Sequence, residues 1–251
     1  MKLVVALLLV SAGAACWGQQ QPISLTATPN RPTVTNTAET TQLGVLELEF
    51  GVYAAAQQQS LQGLLKFGLL HDLELDWSAN PLEYDSPSQY VGVSDTYIGF
   101  RWRFLHQTKQ RPTLTVQYSS KIPTGGPGEV DHVVTLLGSK DLPARFHLDV
   151  NLGYQWLGRP GGGFDQDWLP AFTLGYSLTD KWGIAMDFSG ATRANAATPA
   201  IAQSLWAVSY AVKPRLVLDS AVQFRITGNV PSVVYLGGFT YSIADLYHHR
   251  R

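Results

Sequence analysis

The sequence predicts an all-β protein, a closed up-and-down antiparallel transmembrane β-barrel of about 12 strands. In residues 98–104, Ile-Gly-Phe-Arg-Trp-Arg-Phe, large apolar side chains occupy every second position, and glycine or arginine stands between them. Because successive side chains of a strand point to opposite faces, one face is apolar and the other charged. The same alternation recurs between residues 44 and 243, and strands with large aromatics on one face and charges on the other are typical of lipid-facing barrels. An N-terminal export signal without a later apolar run of helical length leaves a closed barrel as the way to cross lipid.

Length and composition fit a single barrel domain. The chain has 251 residues, and barrels of this size are commonly one domain. The net charge is −1 with 15% charged residues and no long run of one sign, which argues against a nucleic-acid partner. The 23 glycines, 11 tyrosines and 7 tryptophans are spread along the whole chain, which fits many short strands joined by tight turns.

Residues 1–18 predict a signal peptide. A lysine precedes an apolar run at residues 3–10, and small residues follow before Cys16. This order is that of a secretory signal, and the run is shorter than the about 20 residues of a transmembrane helix. Two alternatives stay open: a buried helix of a cytoplasmic protein, and a lipid-modified Cys16, although Gly13 stands where lipoprotein signals usually carry leucine. Cleavage near Gly18 would remove the only cysteine and leave a mature chain without disulfides.

Residues 19–43 are predicted to form a polar periplasmic leader. They are rich in threonine, glutamine, asparagine and proline and follow neither a strand period nor a helix period. Such a leader either reaches into the barrel and plugs it from the periplasmic side or hangs free, and both alternatives stay open. The barrel itself is predicted over residues 44–243, and residues 244–251 are predicted to form a solvated periplasmic tail.

Twelve stretches carry the strand alternation. In the first, Leu46, Leu48 and Phe50 alternate with Glu47 and Glu49. The twelve stretches are residues 46–53, 65–69, 73–78, 98–104, 114–119, 132–138, 146–155, 172–176, 182–188, 206–210, 218–226 and 233–241. The sixth has a blurred period because apolar residues stand next to each other in it. Twelve tilted spans of about 9–11 residues each fit within the predicted barrel and leave room for connections.

The connections predict which end of the barrel faces the periplasm. Short turns follow the even-numbered strands, at residues 71–72, 109–112, 141–145, 179–181 and 213–215. The odd-numbered strands are mostly followed by longer polar or Gly/Pro-rich loops, among them residues 57–60, 80–90, 123–127 and 158–167. Short periplasmic turns and longer outer loops are the usual asymmetry of such barrels, so both termini are predicted to be periplasmic.

Ten charged side chains fall on the inward face of the predicted strands. These candidates for lining the lumen are Glu47, Glu49, Glu74, Asp76, Arg101, Arg103, Asp149, Asp187, Asp219 and Arg225. An arginine facing lipid at the bilayer midplane costs about 2–4 kcal/mol, which favours the inward orientation. One interpretation is a polar constriction that selects solutes by charge and width. The other is that the two carboxylates of the third strand pair with the two arginines of the fourth and simply neutralise the interior.

The sequence predicts no enzyme, metal site or cofactor. Twelve-stranded outer-membrane phospholipases use a serine and a histidine on adjacent strands, but His132, His147 and Asp149 have no serine in a recognisable nucleophile setting. His147 and Asp149 alone are too few ligands to define a metal site, and a hydrogen-bonded pair is the simpler interpretation. The glycines at 161–163 lie in no strand-loop-helix frame and are therefore not a phosphate cradle.

Several segments resemble a bacterial family named "MetA-pathway of phenol degradation", whose members are outer-membrane transporter-like barrels. The matching segments are NRPTVT at 30–35 with AET at 38–40, FGLLHDLEL at 67–75, GVSD at 92–95 before YIGFRWRF at 97–104, KIPTG at 121–125 and GYSLTDK at 175–181. They occur in the family's order, and the resemblance covers about residues 28–243. One departure is the C-terminus, which continues as Tyr-His-His-Arg-Arg, whereas such barrels commonly end on an aromatic residue that the assembly machinery reads.

The resemblance implies a passive channel in the outer membrane for small molecules, and the family name implies a link to aromatic compounds. Its expected partners are outer-membrane lipid, the barrel-assembly machinery and a small solute that the sequence does not identify. A closed barrel with a structural or surface-interaction role is the rival function. A soluble periplasmic β-sandwich is the rival fold.

Overall fold

The computed structural model describes residues 24–86 and 88–247. The predicted signal peptide, Cys16 within it and the last four residues of the predicted tail lie outside the described residues. No helix in the described ranges is long and apolar enough to cross a membrane.

The described part of the chain contains thirteen strands. They are β1 (Val45–Ala55), β2 (Gln58–Leu70), β3 (Leu73–Asp85), β4 (Tyr90–Gly92), β5 (Thr96–Leu105), β6 (Thr113–Ile122), β7 (Asp131–Asp141), β8 (Phe146–Gly158), β9 (Phe164–Ser177), β10 (Trp182–Ala191), β11 (Ile201–Lys213), β12 (Leu216–Thr227) and β13 (Val233–Asp245). All but β4 form one antiparallel ring in chain order, which closes where β1 pairs with β13. The short β4 pairs only with the far end of β3. The prediction of a closed twelve-stranded barrel is confirmed.

The apolar face of the strands lies on the outside of the barrel. On β5, 53% of Trp102 and 39% of Phe100 are exposed, whereas only 1% of Arg101 between them is exposed. The same holds around the ring, where exposed large apolar side chains alternate with buried polar ones. A folded soluble protein rarely exposes so continuous an apolar surface, so this surface is suited to hydrocarbon.

The two ends of the barrel differ in their connections. At one end, the terminal end, the strands are joined by residues 71–72, 106–112, 142–145, 178–181 and 214–215, and both described termini lie there. At the other, the loop end, the connections are residues 56–57, 86–95, 123–130, 159–163, 192–200 and 228–232. The predicted asymmetry of connections is present at most positions but fails at residues 56–57, which are only two residues long, and at residues 106–112, which are seven residues long.

Several strands are longer than their alternation predicts. The predicted loop at 57–60 lies mostly within β2, and the first half of the predicted loop at 80–90 continues β3. The sixth predicted strand, 132–138, is β7 and runs over eleven residues, and β13 extends two residues past position 243. Backbone pairing continues beyond the apolar band because the ladder needs only neighbouring N–H and C=O groups, not apolar side chains.

Aromatic side chains form two outward-facing girdles. The ring pairs near the terminal end are Phe146 with Tyr176 (4.8 Å) and Trp182 with Tyr210 (4.6 Å), and those near the loop end are Tyr154 with Trp156 (4.7 Å) and with Trp168 (4.8 Å). Phe146 and Trp156 belong to the same strand, and the segment between them spans about 25 Å along the barrel axis at about 3.3 Å per residue and about 40° tilt. This matches the height of the apolar band of outer-membrane barrels.

Candidate functional site in the barrel lumen

Residues 24–43, here named the arm, lie inside the barrel. The arm enters at the terminal end, where the Ala27 N–H donates to the carbonyl of Pro214 in the β11–β12 turn (2.9 Å). It reaches the middle of the wall at Arg31, and it returns to the terminal end at Leu43, which forms an isolated bridge with Gly68 of β2. No regular secondary structure forms along the arm, so its backbone groups must find partners on the wall.

Wall carboxylates accept hydrogen bonds from the backbone of the arm. The pairs are Thr28 N with Glu47 Oε2 (3.0 Å), Asn30 N with Glu49 Oε1 (2.8 Å), Thr35 N with Asp187 Oδ2 (2.9 Å) and Thr41 N with Glu74 Oε2 (2.5 Å). The acceptors belong to β1, β3 and β10, so the arm is attached to more than one side of the lumen. Hydrogen bonds to an ionised acceptor are about twice as strong as neutral ones, so these four bonds are strong attachments of the arm backbone.

Hydroxyl groups of the wall add to this attachment. Ser139 Oγ accepts from the Ala38 N–H (2.6 Å) and donates to Asp149. Thr173 Oγ1 donates to the same oxygen of Asp187 that Thr35 binds (2.7 Å). Alternating inward positions on β7, β8, β9 and β10 supply these groups because each strand presents every second side chain to the lumen.

Arg31 lies against the wall in a niche formed by glycine. Its guanidinium donates to Gln62 Oε1 (3.0 Å) and to the Gly237 carbonyl (3.2 Å), and it lies 3.4 Å from Asp219 Oδ1. A Cβ atom on Gly51 would overlap the guanidinium. The absence of a side chain at Gly51 therefore lets the guanidinium lie close to the backbone of β1 and β13.

A second glycine fixes residues 32–43, the returning limb of the arm. The Gly44 N–H donates to the carbonyl of Gly68 (2.7 Å), and a Cβ on Gly68 would overlap the Gln42 carbonyl. The arm backbone thus approaches β2 more closely than any side chain on that position would permit.

Buried cations on the wall pair with three of its carboxylates. Lys66 Nζ lies 2.6 Å from both Glu47 Oε1 and Glu49 Oε1, and Arg101 lies 3.1 Å from Glu74 Oε1. The side chains of all five residues are at most 2% exposed. Neighbouring strands bring the charges together, since Glu47 pairs with Lys66 across β1–β2 and Glu74 with Arg101 across β3–β5.

The predicted neutral pairing of the third and fourth strands is only half present. Glu74 does pair with Arg101, but Arg103 forms ion pairs with Asp72 (2.9 Å) and with Glu39 of the arm. Among the described residues Asp76 Oδ1 is buried without a hydrogen-bond partner. Arg103, predicted to pair with a carboxylate of the wall, therefore pairs partly with Glu39 of the arm.

The ten predicted lumen residues fall into three groups. Seven are buried on inward positions: Glu47, Glu49, Glu74, Arg101, Asp149, Asp187 and Asp219. Asp76 and Arg103 are partly exposed at inward positions. Arg225 is exposed at the loop end and donates to Val230 O (3.1 Å) and Ser232 Oγ (2.8 Å) of its own hairpin, away from the other nine.

Sequence reasoning missed two cations of the lumen. Lys66 stands between Leu65 and Phe67, so the alternation that selected the other wall residues also places it inward. Arg31 lies in a segment without periodicity, and no pattern in the sequence assigns it to the lumen.

The two histidines considered as candidate site residues, His132 and His147, lie near opposite ends of the barrel. His147 lies between Asp141 Oδ1 (2.6 Å) and Asp149 Oδ1 (3.1 Å) at the terminal end of the lumen. His132 is an outward position near the loop end, where its Nδ1 lies 2.8 Å from the hydroxyl of Tyr118. No group of three or more histidine, cysteine, aspartate or glutamate residues in the described ranges is placed to hold a metal ion.

The arm leaves small cavities on both of its sides. A cavity of about 530 Å³ opens at the terminal end between the two limbs of the arm, with Arg103 and His147 in its lining. Two cavities of about 250 and 150 Å³ lie between the arm and the β2–β6 wall, and both contact Asn30 and Asn36. Polar groups from both the arm and the wall line these spaces.

The fold is that of porin-like outer-membrane barrels. No family model and no curated protein matches the sequence. Among solved structures, an outer membrane channel from Pseudomonas putida F1 is similar with a TM-score of 0.64 at 11% identity, over 81% of this chain and 97% of that chain. The KdgM porin has a TM-score of 0.61 at 8% identity (79% and 99% of the two chains), and the NanC porin 0.59 at 9% (79% and 100%). At these identities the likeness shows the shared fold.

Proposed function

We propose that this protein is an outer-membrane channel for small molecules. The observation that carries the proposal is a barrel with an apolar exterior and a polar, charged inner wall, whose lumen is occupied by residues 24–43 of the same chain through non-covalent contacts with the wall. A purely structural barrel of this size has no need for so many buried charges, because apolar side chains would fill the interior at lower desolvation cost. The fold shared with the Pseudomonas putida F1 channel and the two porins supports it.

The arm is proposed as the plug of this channel. Apart from the chain connection to β1 at Gly44, only non-covalent contacts hold it to the wall. Both of its ends lie at the terminal end, so it leaves the lumen without passing through the barrel. Nineteen of the twenty arm residues lie outside any bridge or strand, and such a segment detaches without unpairing the wall.

Planar-bilayer recording of two chains tests both parts of the proposal. The full chain is expected to give small or brief currents, and a chain lacking residues 19–40 a larger steady current. Heat-dependent migration in gels first verifies that both barrels are folded. Equal currents would remove the plug, and no current from either chain would favour the rival, a closed barrel with a structural or surface role.

Membership of the MetA-pathway of phenol degradation family is part of the proposal, supported by the five matching segments of the sequence. It makes aromatic compounds candidate solutes, and outer-membrane lipid and the barrel-assembly machinery the proposed partners. Phenol is expected to reduce the ion current of the chain lacking residues 19–40 more than cyclohexanol, which has a similar size and hydroxyl group. Equal effects of the two compounds would contradict a preference for aromatic rings.

A further inference from the structure

We propose that the open lumen is selective for cations and for solutes that donate hydrogen bonds, and that Arg31 of the arm is the counter-charge of Asp219 while the arm is in place. The inference rests on the proposed channel function and adds to it the class of solute. It predicts that carboxylate-bearing solutes are disfavoured.

The buried charge of the wall is strongly one-sided. Among the described residues, the buried charged side chains are Lys66, Arg101, Glu47, Glu49, Glu74, Asp131, Asp149, Asp167, Asp187 and Asp219. Eight of these ten are carboxylates. Lys66 lies on β2 and Arg101 on β5. The inner wall from β7 to β13 therefore carries buried carboxylates without a buried cation.

Only some of these carboxylates pair with a basic side chain of the wall. Lys66 is shared by Glu47 and Glu49, and Arg101 pairs with Glu74, as described above. Asp131 lies 2.6 Å from Lys121 on the neighbouring strand, and Asp149 lies beside His147. Five of the eight carboxylates therefore have a basic partner on the wall.

The other three carboxylates have no cation on the wall. Asp167, Asp187 and Asp219 lie on β9, β10 and β12, and one oxygen of each is buried without a hydrogen-bond partner in the described structure. The partners that two of them do have come largely from the arm: Thr35 for Asp187 and Arg31 for Asp219. Each of these oxygens is a buried acceptor to which a positively charged or N–H-bearing group could donate once the arm has left.

Departure of the arm would leave this wall facing water. The lumen would lose the Arg31 guanidinium, the Glu39 carboxylate and the four backbone N–H donors, whereas the eight buried carboxylates, as parts of the strands, would stay in place. A narrow pore with low-dielectric walls concentrates the field of fixed charges of one sign, and rings of acidic side chains favour cations. The arm and a permeating cation would therefore compete for the same acceptors.

Reversal-potential measurements on the chain lacking residues 19–40 test this inference. In a KCl gradient, K⁺ is expected to permeate several-fold better than Cl⁻, and ethylammonium several-fold better than acetate. The triple variant Asp167→Asn, Asp187→Asn, Asp219→Asn keeps the side-chain volumes and is expected to lose most of this preference while still conducting. A matched control is Asp180→Asn, whose side chain is 98% exposed in the β9–β10 turn, and no change is expected from it.

The outcomes separate the selectivity from the channel itself. A steady current without cation preference, or with anion preference, would overturn the selectivity and leave the channel function standing. An absent current in the folded deletion chain would overturn both. If the deletion chain does not fold, the same ratios are measured on full-length Gly68→Ala, in which the added methyl group overlaps the arm backbone, and a lack of cation preference there overturns the inference equally.

Discussion

The buried charges on the two sides of the inner wall have different kinds of partner. On the β1–β5 side, Lys66 and Arg101 pair with glutamates of adjacent strands, so the wall is neutralised largely by itself. On the β9–β12 side, Asp187 and Asp219 depend on Thr35 and Arg31 of the arm. Both sides bind the arm, but the charges of the first side are paired mainly within the wall, whereas the second side has its charged partner on the arm.

The largest expected effect comes from breaking the self-paired side. Lys66→Met leaves Glu47 and Glu49 buried without their cation, and removing one partner of a buried pair costs about 3–5 kcal/mol. The free energy of unfolding in detergent micelles, measured by denaturant titration, should fall by about that amount. Lys109→Met, at an exposed turn position, is the control. An equal change in both variants would mean that the Lys66 cluster does not stabilise the barrel.

The next effect is on the arm alone. Gly68→Ala places a methyl group against the Gln42 carbonyl, so the returning limb must move while the strand pairing stays intact. The full-length variant should conduct several-fold more than the parent chain in planar bilayers. Gly126→Ala, where no atom lies within 4 Å of the added Cβ, should leave the current unchanged. Unchanged current in both would show that the arm does not limit conduction.

A smaller effect is expected on the arm-dependent side of the wall. Asp187→Ala removes the acceptor of the Thr35 N–H and costs about 1–3 kcal/mol of arm attachment, whereas Asp187→Asn keeps one acceptor oxygen and should cost less. Hydrogen exchange at Thr35 measures the attachment, and the alanine variant should exchange faster than the asparagine variant. The unfolding free energy of the barrel should change little in either. The reverse order of exchange rates would contradict the proposed role of the carboxylate.

The smallest expected effect concerns pH at the terminal end. Partial burial raises the pKa of Asp72 in the β2–β3 turn, but hydrogen bonds from Arg103 and His106 outweigh it and hold the pKa below its ordinary value. A carboxyl group with a lowered pKa in the folded state contributes stability above its unfolded pKa of about 3.9, and this contribution is lost as the pH falls through the folded value. Asp72→Asn should therefore flatten the loss of stability on acidification below about pH 4, measured by denaturant titration at a series of pH values. A pH profile identical to that of the parent chain would exclude this role.

The alternation alone was enough to predict the barrel and the wall face of most charges. Phe100 and Trp102 lie outside and Arg101 inside because the side-chain period of a strand is two wherever it is paired. The same rule failed at the loop end, where β2 and β3 continue through polar residues and Arg225 folds back on its own hairpin. There, both faces meet water, so no apolar pattern marks the strands.

The sequence by itself determined the closed ring, the apolar exterior and the acidic interior, since these follow from local alternation and from the need of lipid-exposed backbone to pair. Only the tertiary structure decided that Arg31 lies in the Gly51 niche, that Thr35 meets Asp187, and that Arg103 pairs with Glu39 rather than Asp76. These contacts join residues up to 152 positions apart in the chain, through an arm without periodicity. Closure of the ring determines where each wall residue lies and therefore which arm residue it meets. No local sequence pattern encodes these positions.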